Sequence, residues 1–121
     1  MKLILDEPES AELATYIRGL SAPPVASALL RVEAIRAVRI GSASAEAVDA
    51  ARTALAGVTL IALDPATVTW AETVEPAALG ALDAIHLVTA LDVGAREMIV
   101  YDKRLVAAAR AHGLAVTSPG A

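Results

Sequence analysis

The stretch from Glu97 to Thr117 constrains the fold more than any other part of this chain. Glu97 to Tyr101 reads as a strand, Lys103 to His112 as a helix capped by Asp102 and ended by Gly113, and Leu114 to Thr117 as a second strand. A single helix between two short strands is a crossover connection, which makes the strands parallel and lays the helix on one face of their sheet. The same alternation runs upstream. Ser10 caps a helix to Arg18 that Gly19 ends, and Pro23-Pro24 then lead into a strand at Val25-Ala26-Ser27. A helix from Leu29 to Ile40 stops at Gly41, and Ser44 and Glu46 open another that runs to Leu55 and closes at Gly57. Val58 to Leu63 is a strand, Asp64 caps a short helix from Pro65 to Val74, and Pro76 starts a long apolar helix that Gly94 ends. Strands separated by helices predict an α/β fold of three layers, α/β/α, with a mainly parallel sheet.

Length and composition narrow the class. At 121 residues and 56% apolar side chains, the sequence fits one domain with a single core. The apolar residues are mainly Ala, Leu, Val and Ile with no Phe, so stacking of aromatic rings on bases is not expected. Absence of cysteine excludes disulfides, thiolate zinc sites and cysteine nucleophiles, and fits a cytoplasmic protein. Only Leu3, Ile4 and Leu5 separate Lys2 from Asp6, too little for the core of a signal peptide. Asp83, His86 and Asp92 interrupt the apolar run from Ala77 to Ala95, which reads as a buried helix rather than a membrane span. The formal charge of -4 argues against a protein that coats nucleic acid, while leaving room for a local basic edge.

Two carboxylates break apolar patterns at informative places. Asp83 lies among Leu79, His86 and Leu87 near the start of its helix, and Asp102 stands at the carboxyl end of a strand, where open parallel sheets place their ligands. A third, Glu33, interrupts Leu29, Leu30, Val32 and Ile35 on an earlier helix. Each has a structural reading beside the functional one: Asp83 as a first-turn acid, Asp102 as a helix cap, Glu33 as the partner of Arg36. His86 reads either as an interior histidine bonded to a carbonyl or as a donor to Asp83 or to a phosphate. The remaining acids fall on polar faces or in turns.

If the three acids converge at one sheet edge, electrostatics demands a counter-charge. Two carboxylates about 4 Å apart repel by roughly 4 kcal/mol at an effective dielectric near 20. A hard divalent cation, Mg2+ or Mn2+, relieves that repulsion, acidifies a bound water and neutralises a phosphoryl oxygen, which suits phosphodiester hydrolysis. Zinc is disfavoured by the lack of Cys and of paired His. Arg31, Arg36, Arg39, Lys103 and Arg104 are candidates to border the cluster and contact a nucleic-acid backbone, or are simply solubilising charges. The sequence contains no glycine-rich phosphate loop and no Gly-x-Ser-x-Gly elbow.

These pieces together resemble the PIN domain, and within it the VapC toxins of bacterial toxin-antitoxin pairs. The resemblance runs through Lys2-Leu3, Glu7-Pro8-Glu9-Ser10, Ser27-Ala28-Leu29 with Glu33 and Arg36-Ala37, Leu82-Asp83-Ala84-Ile85-His86-Leu87, and Tyr101-Asp102-Lys103-Arg104-Leu105. The Leu-Asp-Ala-Ile-His-Leu piece is the most specific of them. The resemblance implies a magnesium-dependent endoribonuclease, homodimeric and held inactive by a VapB-type antitoxin. It further implies that Glu33, Asp83 and Asp102 are the catalytic and metal-binding acids, with Arg36, His86, Lys103 and Arg104 as candidate RNA contacts. One departure stands out. The family pattern opens with a strand ending in an acid, as in Leu-Asp-Thr-Ser-Ala-Leu-Val-Lys-Leu, and Met1-Lys2-Leu3 matches only its end. Met1 is therefore expected to be an internal start within a longer toxin, and a chain without the opening strand to be poorly stable and inactive. The rival expectation is a non-catalytic module that binds antitoxin or another partner.

Overall fold

The computed structural model describes residues 15–42 and 44–120. Residues 15–18 are helical and end at Gly19, whose N–H donates to the Thr15 and Tyr16 carbonyls; the expected cap at Ser10 lies outside the described residues. The elements that follow are β1 (Val25–Ser27), α1 (Leu29–Gly41), α2 (Ala45–Leu55), β2 (Thr59–Ile61), α3 (Pro65–Thr73), α4 (Ala81–Asp92), β3 (Glu97–Ile99), α5 (Lys103–Ala111) and β4 (Ala115–Thr117). The fold is mixed α/β. Its described strands form two pairs, β1 with β2 and β3 with β4. The described residues fall into two units, one reaching to Leu60 and including Pro119 and Gly120, the other spanning Ile61–Ser118. Among the described residues no helix is long and apolar enough to cross a membrane.

In the first unit α1 and α2 pack as a helical hairpin. Leu30, Ala34 and Val38 recur every fourth residue on α1 and are buried, with Ala51 and Leu55 of α2 among the buried residues of the same unit. Ser44 caps α2 by accepting from the Ala47 N–H at 3.1 Å. Ser27, 1% exposed at the end of β1, accepts from the Leu29 N–H, so the turn from strand to helix satisfies its own buried hydroxyl.

The second unit contains the crossover anticipated from its sequence. β3 and β4 are parallel, with Glu97 opposite Ala115, Met98 opposite Val116 and Ile99 opposite Thr117. α5 connects them and packs on β4, while α4 packs against both α3 and α5. Their core gathers Val74, Leu79, Ala84, Leu87, Val88, Val100, Leu105, Ala108, Ala109 and Leu114. Small residues at 108 and 109 permit close approach of α5, and Leu87 and Val88 are wholly enclosed.

Two boundaries differ from the expectation. The long helix starts at Ala81 rather than Pro76, because Leu79 closes a turn by donating to the Pro76 carbonyl and Gly80 is extended at φ -61°, ψ 153°. That turn buries Leu79 in the core instead of leaving it on a helix face. The strands are also shorter than their apolar runs. Val58 is held by the Leu55 carbonyl as α2 ends, and Asp64 is already a helix cap.

Candidate functional site

Asp102 combines two placements. It follows β3 in the chain and is the cap of α5, with Oδ1 accepting from the Arg104 and Leu105 N–H groups, each at 3.0 Å. Backbone N–H groups at a helix start have no intrahelical acceptor, which is why an Asp is favoured there. Both capping bonds use one carboxylate oxygen. Asp102, Lys103 and Arg104 are all exposed, so the start of α5 presents an acid and two bases to solvent.

Asp83 lies in the first turn of α4 and is half-buried. Gly80, the cap of that helix, supplies no side-chain acceptor, so the positive end of the helix favours the carboxylate at Asp83 by about 0.3–1 kcal/mol. With α4 starting at Ala81, Asp83 stands in its first turn, as the structural reading of the sequence had it. Ala84, Leu87 and Val88 are buried around it, and His86, one turn on, is half-buried. Asp83 and His86 border the apolar stripe of α4.

Glu33 is half-buried on α1, next to buried Leu30 and Ala34, and Arg36 is exposed one turn further. Glu33 belongs to the first unit, and Asp83 and Asp102 to the second. Carboxylate oxygens are the right donors for a hard divalent cation, so the chemistry of this set fits Mg2+ or Mn2+. Among the described residues, however, no group of three or more His, Cys, Asp or Glu is placed to hold a metal.

Two features had escaped the reading from sequence, and a third is the consequence of a cap that the sequence had shown. His112 Nε2 lies 2.8 Å from the Glu75 carbonyl, and since a carbonyl can only accept, that nitrogen carries the proton. The bond ties the end of α5 to the segment before α4, a separation in sequence with no local signature. Asp64 has its pKa lowered below 3.8, foremost by the Thr67 N–H, which donates to Oδ1 at 2.8 Å. Finally, a hollow of about 410 Å3 lies at the α1–α2 hairpin and includes none of the three acids. Its lining on α2, Val48, Asp49 and Arg52, has the spacing of one helix face and is visible in the sequence only once α1 is known to pack there.

Comparison with known proteins agrees with the resemblance. The family model described as PIN domain matches residues 1–111. Ribonuclease VapC47 of Mycobacterium tuberculosis strain CDC 1551 / Oshkosh is 38% identical over 127 residues, covering 99% of this chain and 91% of the relative. Ribonuclease VapC46 of M. tuberculosis strain ATCC 25618 / H37Rv is 40% identical over 121 residues, covering 98% and 91%. Ribonuclease VapC35 of the same species is 37% identical over 125 residues, covering 99% and 91%. No solved structure matches.

Proposed function

The chain belongs to the PIN domain family, and on that premise we propose that it is a magnesium-dependent endoribonuclease toxin restrained by a VapB-type antitoxin. The observation that carries the reading is similarity over nearly the whole length to several proteins named as VapC ribonucleases. In this reading both units are parts of one three-layer PIN domain, which the family match across their boundary supports. The active form is a cytoplasmic homodimer.

Asp83, Asp102 and Glu33 are the proposed catalytic acids. A divalent cation bound by them would supply an acidified water and offset charge developing on phosphorus. Asp102 is held in place by its own helix, since the capping bonds restrict its rotamer. Asp83 is fixed by the packed core beneath it, and His86, one turn away, is suited to donate to a phosphate oxygen. Exposed Arg36, Lys103 and Arg104 are suited to the RNA backbone, where guanidinium and ammonium groups position the strand without reading its bases.

The test is cleavage of structured RNAs with magnesium and with chelator, using Asp83→Asn beside the unaltered chain. Loss of cleavage in Asp83→Asn with the fold retained supports the reading, and equal cleavage removes Asp83 from the site. The second reading is a non-catalytic module that binds antitoxin. Calorimetric titration with magnesium or manganese separates the two, because a binding module would take up no cation.

A further inference from the structure

The charges of α5 are placed partly against the helix that carries them. After the Asp102 cap every charged side chain of α5 is basic, Lys103 and Arg104 in the first turn and Arg110 in the last. The negative carboxyl end of a helix favours a cation, which accounts for Arg110. The positive amino end disfavours one, so helix stability does not account for Lys103 and Arg104. All three are exposed, as are Ala107 and Ala111. Lys103, Ala107 and Arg110 recur at spacings of four and three, so they share a stripe of α5 on the side away from buried Leu105, Ala108 and Ala109. Two cations about 10 Å apart along the axis are thus separated by a small side chain, on a protein whose net charge is -4. Asp102 lies at one end of the stripe. Near the other, His112 Nε2 donates to the Glu75 carbonyl at 2.8 Å, which brings the acidic residue Glu75 to the end of α5.

We infer that this exposed stripe of α5 is a track for the backbone of an RNA strand leaving the bond to be cleaved, with Arg110 as a further phosphate contact. The inference rests on the ribonuclease reading for the place of the cleaved bond, and it extends the site from the start of α5 to its last turn. Lys103 and Arg104 take phosphates beside Asp102, and Arg110 takes one further along. Stacked nucleotides of one strand advance about 3.4 Å each, so the two turns from Lys103 to Arg110 correspond to about three nucleotides. Ala107 lets the strand lie close against the helix between them. Guanidinium and ammonium groups hold phosphates without reading bases, so the track sets affinity and the length of RNA required, not the sequence preferred. It ends at the last turn of α5, beside Glu75.

An acidic protein is the poorer occupant. Between its cations the stripe offers only the methyl groups of Ala107 and Ala111, too little apolar surface to anchor a protein partner.

The test is fluorescence anisotropy of a fluorescein-labelled single-stranded RNA of about 12 nucleotides, titrated with the full chain in chelator at low ionic strength so that the RNA stays whole. Binding is expected to weaken about tenfold in Arg110→Glu and in Ala107→Glu, and to be restored in Arg110→Lys. Arg110→Ala should lower the slope of log affinity against log salt by about 0.7, the value for one phosphate of a single strand. Arg52→Glu, the same change of charge on an exposed residue of α2, should alter binding by less than about twofold. Circular dichroism verifies that each variant is folded, and Ala107→Glu, in the middle of α5, separates loss of the track from loss of the charge that favours the helix end. RNA binding with this dependence but no cleavage in magnesium refutes the ribonuclease reading and leaves the track standing. Cleavage in magnesium, with RNA bound equally by the unaltered chain, Arg110→Glu and Ala107→Glu, overturns the track and leaves the ribonuclease. Absence of RNA binding, equal loss in Arg52→Glu, or displacement of the RNA by poly-glutamate as readily as by unlabelled RNA would also overturn it.

Discussion

Asp102 allows its structural and chemical roles to be separated by two substitutions. Its Oδ1 accepts two backbone N–H groups at the start of α5, and α5 buries Leu105, Ala108 and Ala109 in the core. Removing the acceptor with Asp102→Ala leaves those donors to water and costs about 1 kcal/mol of stability. For a chain of 121 residues that corresponds to a fall in Tm of about 4 °C. Asp102→Asn keeps an oxygen in the same position and caps about as well, so its cost is confined to the lost charge at the helix start, about 0.3–1 kcal/mol. Urea unfolding followed by circular dichroism gives both values, and RNA cleavage gives the other half of the comparison. Cleavage should be lost in both variants, whereas stability should fall further in the alanine variant. If Asp102→Asn is as destabilised as Asp102→Ala, the cap does not act through its acceptor oxygen; if it cleaves normally, Asp102 is only a cap.

Other expectations follow from single residues. Asp64 has a lowered pKa in the folded chain, so its contribution is fully present above the unfolded value near 3.8 and is lost as pH falls through the folded value. Asp64→Asn should therefore flatten the acid limb of a stability-against-pH curve by lowering the neutral region toward the value at low pH, where the two chains converge. Leu87 is 0% exposed, and Leu87→Ala should cost about 2–5 kcal/mol in urea unfolding; a loss well under 1 kcal/mol would show that the core around α4 is less closely packed than described. Gly113 turns the chain from α5 to β4 at φ 85°, and Gly113→Ala should cost about 1–2 kcal/mol although the added Cβ meets nothing within 4 Å. Gly57→Ala, with no positive φ and only an ordinary contact to the Ala54 carbonyl, is the comparison that should change little.

Local chemistry explains which parts of this fold were legible in advance. β1 and the caps at Ser44, Asp64 and Asp102 were readable because a proline pair, a hydroxyl or a carboxylate acts on backbone groups only a few residues away. The parallel β3–α5–β4 unit was readable because one short crossover permits little else. The start of α4 was misplaced because Pro76 is a good first helical residue, while the choice of Gly80 depends on burying Leu79, a tertiary event. The strand ends were overestimated because an apolar residue such as Val58 satisfies its pattern equally well in the turn that ends α2. Of the candidate site, Asp102 was legible as a cap and Asp83 as a first-turn acid, although the helix of Asp83 starts at Ala81 rather than Pro76. Where Glu33 stands relative to them is a matter of long-range geometry that spacing along the chain does not encode.

The central claim is most directly tested by cleavage of a structured RNA panel. The assay uses the full chain with magnesium, with chelator, and as Asp83→Asn. The account predicts magnesium-dependent cleavage, reduced roughly 100-fold or more by Asp83→Asn and abolished by chelator. A folded, magnesium-supplied chain that leaves every RNA intact, or an Asp83→Asn variant that cuts at the unaltered rate, would contradict it.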